Sequence, residues 1–591
     1  YPVAYEYDEQ GRMTAMATFR DEEDPGDETQ WFYDDATGLL TNKLYADGKG
    51  TAYAYTPDGQ LASRTWARGV TTSYAYTNGS SLVAIDYSDD TPDVAFAYDR
   101  LGRQKVAQTF LSAHHYAYDP ATLALVSETV IDLQTGASNV ITRSTDALGR
   151  PSGFALSSSP YTLTYAYDAY GRFSAVTAQV HVLTHGYAYG YLAGSDLVET
   201  MANTHGHTVT RTYDPAMPHI TRVHNGFTGG RTVSQYDYTY DALGRRTAVA
   251  SSGEAFSFTN ANDLAAFDLY GYNGRSEVTS AARYWGTDTG DTSEAVDGQQ
   301  YAYAFDPIGN RVTAAEGDAS RTATYTANAL NQYSQRTVPG VKELAGTAIA
   351  EATVTVNDLP TDRHGPWWRH AFEADNDTSA AYTQAVVTAV YSNLYSSATG
   401  HVFVAGTPEA FTHDDDGNLT QDGRFDYAWD AENRLVSATT RDDLPASVPR
   451  VRVTHRYDHR SRRIATERET WGGSAWQPAG TNRYLYDGWN VVAETRSASP
   501  ANTNLYVWGL DLSGSLQGAG GIGGLLTVRK RLEDGTGIVR NYDYLFDANG
   551  SAPSEARRFL QGESPCRVRT SHPLVPSVGT VEEESHPNDI V

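Results

Sequence analysis

An eight-residue motif recurs along the chain, and this repeat constrains the fold more than any other feature. The four clearest copies are YEYDEQGR (5–12), FAYDRLGR (96–103), YAYDAYGR (165–172) and YTYDALGR (238–245). The second aromatic residue of neighbouring copies is mostly 20 to 27 residues apart. Periods of this length are typical of architectures in which each repeat is one supersecondary unit. We therefore predict an array of equivalent units rather than one conventional core.

Each copy is predicted to form a β-hairpin. In the copy at 165–172, Tyr165 and Tyr167 are separated by one residue and share a strand face. Asp168 suits the first position of a type I turn and Gly171 the fourth. We expect Arg172 to lie over a neighbouring ring or to pair with a carboxylate. The residues predicted to have this structural role are Tyr5, Tyr7, Asp8, Gly11, Arg12, Tyr98, Asp99, Gly102, Arg103, Tyr165, Tyr167, Asp168, Gly171, Arg172, Tyr238, Tyr240, Asp241, Gly244 and Arg245.

A lone hairpin of this kind is marginally stable in water, so the units are expected to stack in series. A buried tyrosine removes roughly 150–250 Å² from solvent, and that gain requires a neighbouring hairpin against the ring. Hairpins placed side by side make a long antiparallel ribbon, which must wind or close because strand twist accumulates and free edges invite aggregation. We predict an all-β fold. A catalytic role for a repeated Asp and Arg is rejected, because many copies of one active site in one chain are implausible.

Composition excludes several functional classes. The formal net charge is −27, and an acidic chain of this kind is a poor partner for nucleic acid, which selects clustered Lys and Arg. The single cysteine, Cys566, allows no internal disulfide framework. No apolar run reaches the ~20 residues of a membrane span. Histidine pairs such as His114 and His115 lack a zinc-protease pattern, and we predict no cofactor and no metal site. Because the sequence begins with Tyr1, we expect it to be a fragment of a longer protein.

The repeats resemble those of the YD-repeat or RHS-repeat family, whose bacterial members wind their repeats into a hollow shell. The resemblance covers most of residues 1 to about 550 and includes two longer passages, at 406–438 and at 505–526. The second passage, LYVWGLDLSGSLQGAGGIGGLL, closely matches the run leading into the RHS core region. The core-like residues that this resemblance implies are Trp508, Gly509, Asp511, Gly514, Gly518 and Gly521. It implies a spiral of antiparallel hairpins around a cavity, with a small β-rich insertion.

Four segments follow from these patterns. Repeats are expected at 1–334 and at 406–550, the second stretch including the core-like segment, and a compact β-rich insertion at 335–405. Residues 551–591 lack an alternating pattern, and we expect this divergent tail to be disordered, without an evident self-cleavage site. In the insertion, Trp367 and Trp368, with His364 and His370, form a candidate contact for a glycan or a partner; the alternative is that the tryptophans are simply buried.

The resemblance implies a non-enzymatic shell that encapsulates or presents a polypeptide cargo, as part of a secreted or cell-surface bacterial toxin or competition protein. The expected partners are a C-terminal or separate polypeptide and, as a further option, a glycan or a cell-surface receptor. One alternative is a cell-surface adhesion or structural protein, since YD shells also occur in animal teneurins. A carbohydrate-binding surface protein is a minor alternative. A glycan-active enzyme would need a carboxylate pair at a suitable separation, and the repeats offer no unique pair.

Overall fold

The computed structural model describes residues 2–551, except residues 22, 24, 259, 498–501 and 532–537, together with residues 567–570. These residues form 48 β-strands and one short 3₁₀ helix, Glu254–Phe256, and contain no α-helix. Among them, no helix has the length and apolar character needed to cross a membrane. The prediction of an all-β fold made of antiparallel hairpins is confirmed.

Consecutive hairpins from residues 3–336, with one short strand at 409–410, build a 29-stranded antiparallel sheet. Its strands are β1 Val3–Tyr7, β2 Met13–Thr18, β3 Asp27–Tyr33, β4 Leu40–Leu44, β5 Gly50–Tyr55, β6 Leu61–Thr65, β7 Thr71–Tyr76, β8 Leu82–Tyr87, β9 Val94–Tyr98, β10 Gln104–Gln108, β11 Ser112–Tyr118, β12 Leu125–Asp132, β13 Ser138–Thr145, β14 Pro151–Leu156, β15 Tyr161–Tyr167, β16 Phe173–Val180, β17 Leu183–Tyr191, β18 Val198–Asn203, β19 His207–Tyr213, β20 Ile220–Phe227, β21 Arg231–Tyr240, β22 Arg246–Ser252, β23 Ala266–Tyr272, β24 Val278–Trp285, β25 Ala295–Phe305, β26 Arg311–Glu316, β27 Asp318–Ala327, β28 Tyr333–Arg336 and β36 Glu409–Ala410.

The ribbon continues as an 11-stranded antiparallel sheet in the second half of the chain. Its strands are β37 Thr412–His413, β38 Leu419–Gln421, β39 Phe425–Trp429, β40 Leu435–Thr440, β41 Val451–Tyr457, β42 Arg463–Trp471, β43 Trp476–Asp487, β44 Asn490–Arg496, β45 Asn502–Trp508, β46 Leu525–Arg531 and β47 Val539–Asp543. We call β1–β28 the first round and β36–β47 the second round.

The chain between the two rounds forms a small unit of two four-stranded sheets, to which the tail contributes one edge strand. Its strands are β29 Val341–Thr347, β30 Thr353–Val356, β31 Leu359–Pro360, β32 Asp362–His364, β33 Trp367–Glu373, β34 Ala381–Tyr391, β35 Leu394–Val404 and β48 Arg567–Thr570. Leu344, Val356, Trp368 and Val387 lie in its apolar core. The ribbon is not interrupted by this insertion, because β28 before it pairs directly with β36 after it.

Of the tail expected at 551–591, only residue 551 and residues 567–570 are described. The latter form β48, which pairs antiparallel with β29 at the edge of the insertion. The remainder of the predicted disordered tail lies outside the described residues.

The ribbon winds as a spiral, because distant segments meet in the same order along both rounds. The guanidinium of Arg20, just after β2, donates to the carbonyl oxygen of Asn328 in the β27–β28 turn (2.6 Å), so the first round returns to its beginning. Further along, Tyr161 of β15 contacts β45 and Tyr187 of β17 contacts β47. A shared apolar core joins the rounds and includes Val176 of the first and Leu505 of the second.

Candidate functional site

The repeated motif forms a tight turn held by its own charged residues. In the copy at 165–172, the Gly171 N–H donates to the Asp168 carbonyl oxygen (3.0 Å), and Gly171 has φ +85°. The Asp168 Oδ1 accepts the N–H groups of Tyr170 and Arg172 (both 2.9 Å), and the Arg172 Nε donates to Oδ2 (2.8 Å). The ion pair is thus internal to the turn.

The other three copies have the same geometry. The arginine Nε to aspartate Oδ2 distance is 2.6 Å for Arg12 and Asp8. It is 2.7 Å both for Arg103 with Asp99 and for Arg245 with Asp241. Positive φ angles of +77°, +77° and +76° occur at Gly11, Gly102 and Gly244. Desolvation raises the pKa of Asp168, but hydrogen bonds from Arg172 and Tyr170 outweigh it and lower the pKa overall.

Where a copy has a hairpin before it, its second tyrosine forms a hydrogen bond to that hairpin, as at Tyr98, Tyr167 and Tyr240. The Tyr167 hydroxyl donates to the carbonyl oxygen of Pro151 (2.8 Å), the residue after the arginine of the previous turn. That arginine, Arg150, lies over the Tyr167 ring, 4.0 Å from its centre. Equivalent tyrosine-to-carbonyl hydrogen bonds join Tyr33 to Met13, Tyr98 to Leu82, Tyr118 to Gln104, Tyr191 to Phe173, Tyr240 to Ile220, Tyr272 to Arg246, Tyr457 to Leu435 and Tyr486 to Arg463.

The arginine contact is equally regular, so each turn touches the next hairpin along the ribbon. Arginines lie over the following ring in the pairs Arg12 and Tyr33, Arg103 and Tyr118, Arg172 and Tyr191, Arg245 and Tyr272, Arg434 and Tyr457, and Arg462 and Tyr486. The planar guanidinium can lie flat on the aromatic face while its N–H groups still donate to the aspartate of its own turn.

The first aromatic residue of the motif is placed differently from one copy to another, and in the first copy both tyrosines are exposed. Tyr238 is buried, and its hydroxyl accepts the Ala548 N–H of the second round (2.8 Å). Tyr165 is half-buried against Phe173, with ring centres 5.4 Å apart. Tyr5 and Tyr7 are 50% and 58% exposed, since no earlier hairpin lies beside β1 among the described residues. Neighbouring units, rather than the motif itself, therefore decide how far these rings are buried.

Strands and turns of the second round pack along those of the first, and we call this contact the seam. The Trp66 indole N–H donates to the carbonyl oxygen of Ala431 (2.6 Å), and Arg64 pairs with Glu432 (3.0 Å). The Tyr161 hydroxyl donates to the carbonyl oxygen of Tyr506 (2.6 Å). Turn tips of the first round are in contrast exposed, as at Leu101, Leu148, Tyr170 and Leu243.

A buried polar cluster lies at the seam. His114 of β11 is 1% exposed, and its Nδ1 lies 3.0 Å from the Oε1 of Glu128. Glu128 also pairs with Arg143 (3.1 Å), which in turn pairs with Asp487 of the second round. Burial raises the pKa of Glu128, but His114 and the guanidinium groups of Arg462 and Arg143 outweigh it and lower the pKa to about 2.

Two histidines and a carboxylate converge in this cluster. One ligand atom each from His114, Asp458 and His459 lies within 4.8 Å of the others, which makes this the candidate metal centre among the described residues. Sequence reasoning missed it, because His114 and the other two residues belong to different rounds. Contacts between neighbouring hairpins join residues close in sequence, and a repeat motif reveals them. Contacts at the seam join residues far apart in sequence, such as Tyr161 and Tyr506, which are 345 residues apart, and no local motif marks them.

The core-like segment forms a loop folded around one buried carboxylate. Asp511 is 6% exposed; its Oδ2 accepts the N–H of Ala519 (2.6 Å) and of Gly521 (3.2 Å). Burial raises the pKa of Asp511, but these bonds and those from Ser513 lower it overall. The remaining core-like residues lie in or beside the loop. The Trp508 indole N–H donates to the Val491 carbonyl oxygen, and the Gly514 N–H donates to the Asp511 carbonyl oxygen. The Gly518 N–H donates to Ser515 Oγ, and the Gly509 N–H donates to the Gly524 carbonyl oxygen.

Of the two alternatives for the tryptophan pair, burial holds at Trp368, and a glycan or partner contact there is excluded. Trp368 is 0% exposed and lies in the core of the insertion, where neither a glycan nor a partner reaches it. Alternation along β33 places the adjacent Trp367 on the other face. There Trp367 packs edge-on against Trp285 of the ribbon (5.3 Å between ring centres), and His364 stacks on the same Trp285 ring (4.2 Å). His370 contacts the carbonyl oxygen of Pro360 (3.1 Å).

No family model matches the chain. The tRNA nuclease WapA of Bacillus subtilis is 36% identical over 104 residues, covering 17% of this chain and 4% of that protein. The tRNA3(Ser)-specific nuclease WapA of Bacillus spizizenii has the same identity and coverage. The chain therefore spans about 4% of the length of these curated relatives.

Among solved structures, the chain is similar to the crystal structure of TcdB2–TccC3–Cdc42, with a TM-score of 0.46 and 12% identity. That comparison covers 93% of this chain and 29% of the other. The crystal structure of TcdB2–TccC3 without its hypervariable C-terminal region gives a TM-score of 0.41 and 12% identity, over 93% of this chain and 30% of the other.

Proposed function

We propose that this chain is a non-enzymatic β-ribbon shell that encloses a polypeptide, as part of an extracellular bacterial toxin or competition protein. The winding of the ribbon carries the proposal. From β15 to its seam partner β45, the ribbon advances by 23 strands. At ~4.8 Å per strand, one full turn of this spiral, 23 strands, has a circumference of roughly 110 Å and a diameter of roughly 35 Å.

The interior of such a round has room for a chain. Two sheets packed face to face lie ~10 Å apart, so the side chains of one sheet extend about 5 Å inward. Subtracting this from both walls of a spiral roughly 35 Å across leaves an interior roughly 25 Å wide. An α-helix with its side chains is ~10–12 Å across, whereas a folded 100-residue domain has a radius of gyration of ~13 Å. An extended or partly folded polypeptide therefore fits better than a large folded domain.

The chemistry of the repeats supports a structural role. In the four copies quoted above, the motif's aspartate and arginine neutralise each other within the turn, and the arginine face contacts an aromatic ring. These groups are engaged in holding hairpins together rather than turned toward a shared cleft. The nuclease activity in the names of the WapA relatives belongs to those proteins, because the matched stretch is 4% of their length.

Protease protection tests the proposal. An unstructured reporter of roughly 60 residues is fused after Val591, and its cleavage by proteinase K is compared with that of the free reporter. We expect slow cleavage in the fusion, and fast cleavage when Tyr161→Ala opens the seam. The matched control is Tyr170→Ala, which removes a ring that is 85% exposed. Cleavage of the fused reporter at the free rate, with an intact ribbon, would instead favour a surface adhesion role.

A further inference from the structure

Two histidines with unpartnered ring nitrogens face each other across the seam. His114 Nε2 and His459 Nδ1 are both buried and have no hydrogen-bond partner. The ring centres are 4.7 Å apart. The Oδ2 of Asp458 lies 3.8 Å from His114 Nε2. His114 belongs to the first round, whereas Asp458 and His459 lie in the turn between β41 and β42 of the second.

The other ring nitrogen of each histidine has a partner. His114 Nδ1 is 3.0 Å from the Glu128 carboxylate, which accepts a hydrogen bond from Nδ1–H and thereby favours the tautomer with a free lone pair on Nε2. His459 Nε2 is 3.3 Å from the Tyr116 hydroxyl, whose oxygen can accept an N–H from that nitrogen and leave the Nδ1 lone pair free. A carboxylate behind a histidine is the arrangement that orients metal-binding imidazoles.

We propose that His114, Asp458 and His459 bind one divalent transition-metal ion, for which Zn²⁺ is the probe, and that this ion ties the second round to the first. Two imidazole nitrogens and one carboxylate oxygen are a donor set that suits zinc. The site goes beyond the enclosure of a cargo, because it concerns how the seam is closed.

The separations fit an ion after a small adjustment. The three ligand atoms lie within 4.8 Å of one another, so an ion at the point between them would be at most about 2.8 Å from each atom. Zinc bonds to nitrogen and oxygen are ~2.0–2.2 Å, so each ligand atom moves inward by less than about 1 Å. Arg462 donates to the same Asp458 oxygen through Nε (2.8 Å) and Nη2 (2.7 Å). The ion therefore replaces one of these two hydrogen bonds.

Metal binding to the full chain tests the site. The protein is freed of metal with a chelator, and Zn²⁺ binding is measured by equilibrium dialysis and by the shift in melting temperature. We expect about one tightly bound ion per chain and a raised melting temperature, because an ion that binds only the folded state stabilises it. Co²⁺ should give the strong visible absorption of a tetrahedral site, which needs no variant.

Matched variants separate this site from other histidines. His459→Ala, at a partly exposed position, should weaken Zn²⁺ binding more than tenfold and remove the thermal shift. Glu128→Gln keeps the size of the side chain but removes its charge, and should weaken binding about 10- to 100-fold. His115→Ala removes an exposed imidazole from the same strand and should change neither measurement. Equal zinc binding by the wild type and His459→Ala, no binding at 100-µM-scale zinc, or a weak octahedral cobalt spectrum would each overturn the proposal.

Discussion

The guanidinium carbon of Arg172 lies 4.2 Å from the centre of the Tyr191 ring, one hairpin further along the ribbon. The same guanidinium donates to Asp168 in its own turn and to the carbonyl oxygen of Ser195 (2.7 Å). One side chain thus closes its own turn and holds the next unit. Each unit thus offers an arginine to the hairpin that follows it and, as at Tyr167 under Arg150, a ring to the turn that precedes it.

Replacing Arg172 by lysine should loosen the junction between two hairpins. Lysine keeps the charge but has no planar fork to donate to Asp168 while lying on Tyr191. We expect a local loss of about 1 kcal/mol, because the side chain is a quarter exposed and solvent screens the pair. Hydrogen exchange of the β16–β17 amides measures the effect. Arg100→Lys, at an exposed turn position, is the control, and equal exchange in the two variants would contradict the prediction.

Gly171→Ala should destabilise its turn through backbone strain alone. Gly171 has φ +85°, and the nearest heavy atom to an added Cβ would be Arg150 Nη1 at an ordinary 3.5 Å. The left-handed conformation costs an L-residue about 1–2 kcal/mol. Gly79→Ala is the matched control, because Gly79 is a turn glycine outside that region and its added Cβ would meet only Thr77 Oγ1 at 3.7 Å. Urea unfolding should separate the two variants, and a neutral Gly171→Ala would refute the strain argument.

The hairpins could be predicted from sequence because their signals are local. Tyr, Asp, Gly and Arg stand within eight residues and make their contacts in one turn and the next hairpin. The seam could not be predicted in this way. Asp168 and Asp458 occupy the same motif position, yet Asp458 is 1% exposed because a first-round strand covers it, whereas the Asp168 side chain is 23% exposed.

The insertion shows the same limit on a smaller scale. Trp367 and Trp368 are adjacent in one strand, so they must point to opposite faces. Which face becomes the core depends on β29 and β34, whose positions the dipeptide does not encode. For the same reason, the contact between His114 and His459 could not be predicted from sequence, because it depends on how the whole ribbon winds.

Gly509→Ala should detach the core-like loop from the first round. An added Cβ would lie 2.1 Å from the Tyr189 hydroxyl oxygen, which now accepts the Leu510 N–H (3.2 Å). We expect a cost of about 1–3 kcal/mol and faster proteolysis within residues 509–524. Tyr189→Phe removes the obstructing oxygen, so the cost of Gly509→Ala should fall in that background. Additive effects in the double variant would show that the two residues are not coupled.

Tyr161→Phe should weaken the seam without opening a cavity. Tyr161 is 1% exposed, and loss of its hydroxyl leaves the Tyr506 carbonyl oxygen without this partner. A buried acceptor left unsatisfied costs about 1–3 kcal/mol. Protection of the β45 amides from hydrogen exchange should fall. Tyr170→Phe, which changes an exposed hydroxyl, should leave that protection unchanged; an equal fall in both variants would contradict a specific seam contact.

Acidification should destabilise the chain through His207. Burial lowers the pKa of His207 to about 4, although the charge of Asp543 opposes this shift. The unfolded histidine has a pKa near 6.5, so between about pH 6.5 and 4 the unfolded state binds more protons and stability rises with pH. The loss on lowering the pH through this window is up to about 3 kcal/mol, at ~1.4 kcal/mol per pKa unit. Urea unfolding at several pH values should therefore show a shallower pH dependence for His207→Gln than for the wild type. His115→Gln, which removes an exposed imidazole, should keep the wild-type slope; a His207→Gln slope equal to the wild type would assign the acid sensitivity to other groups.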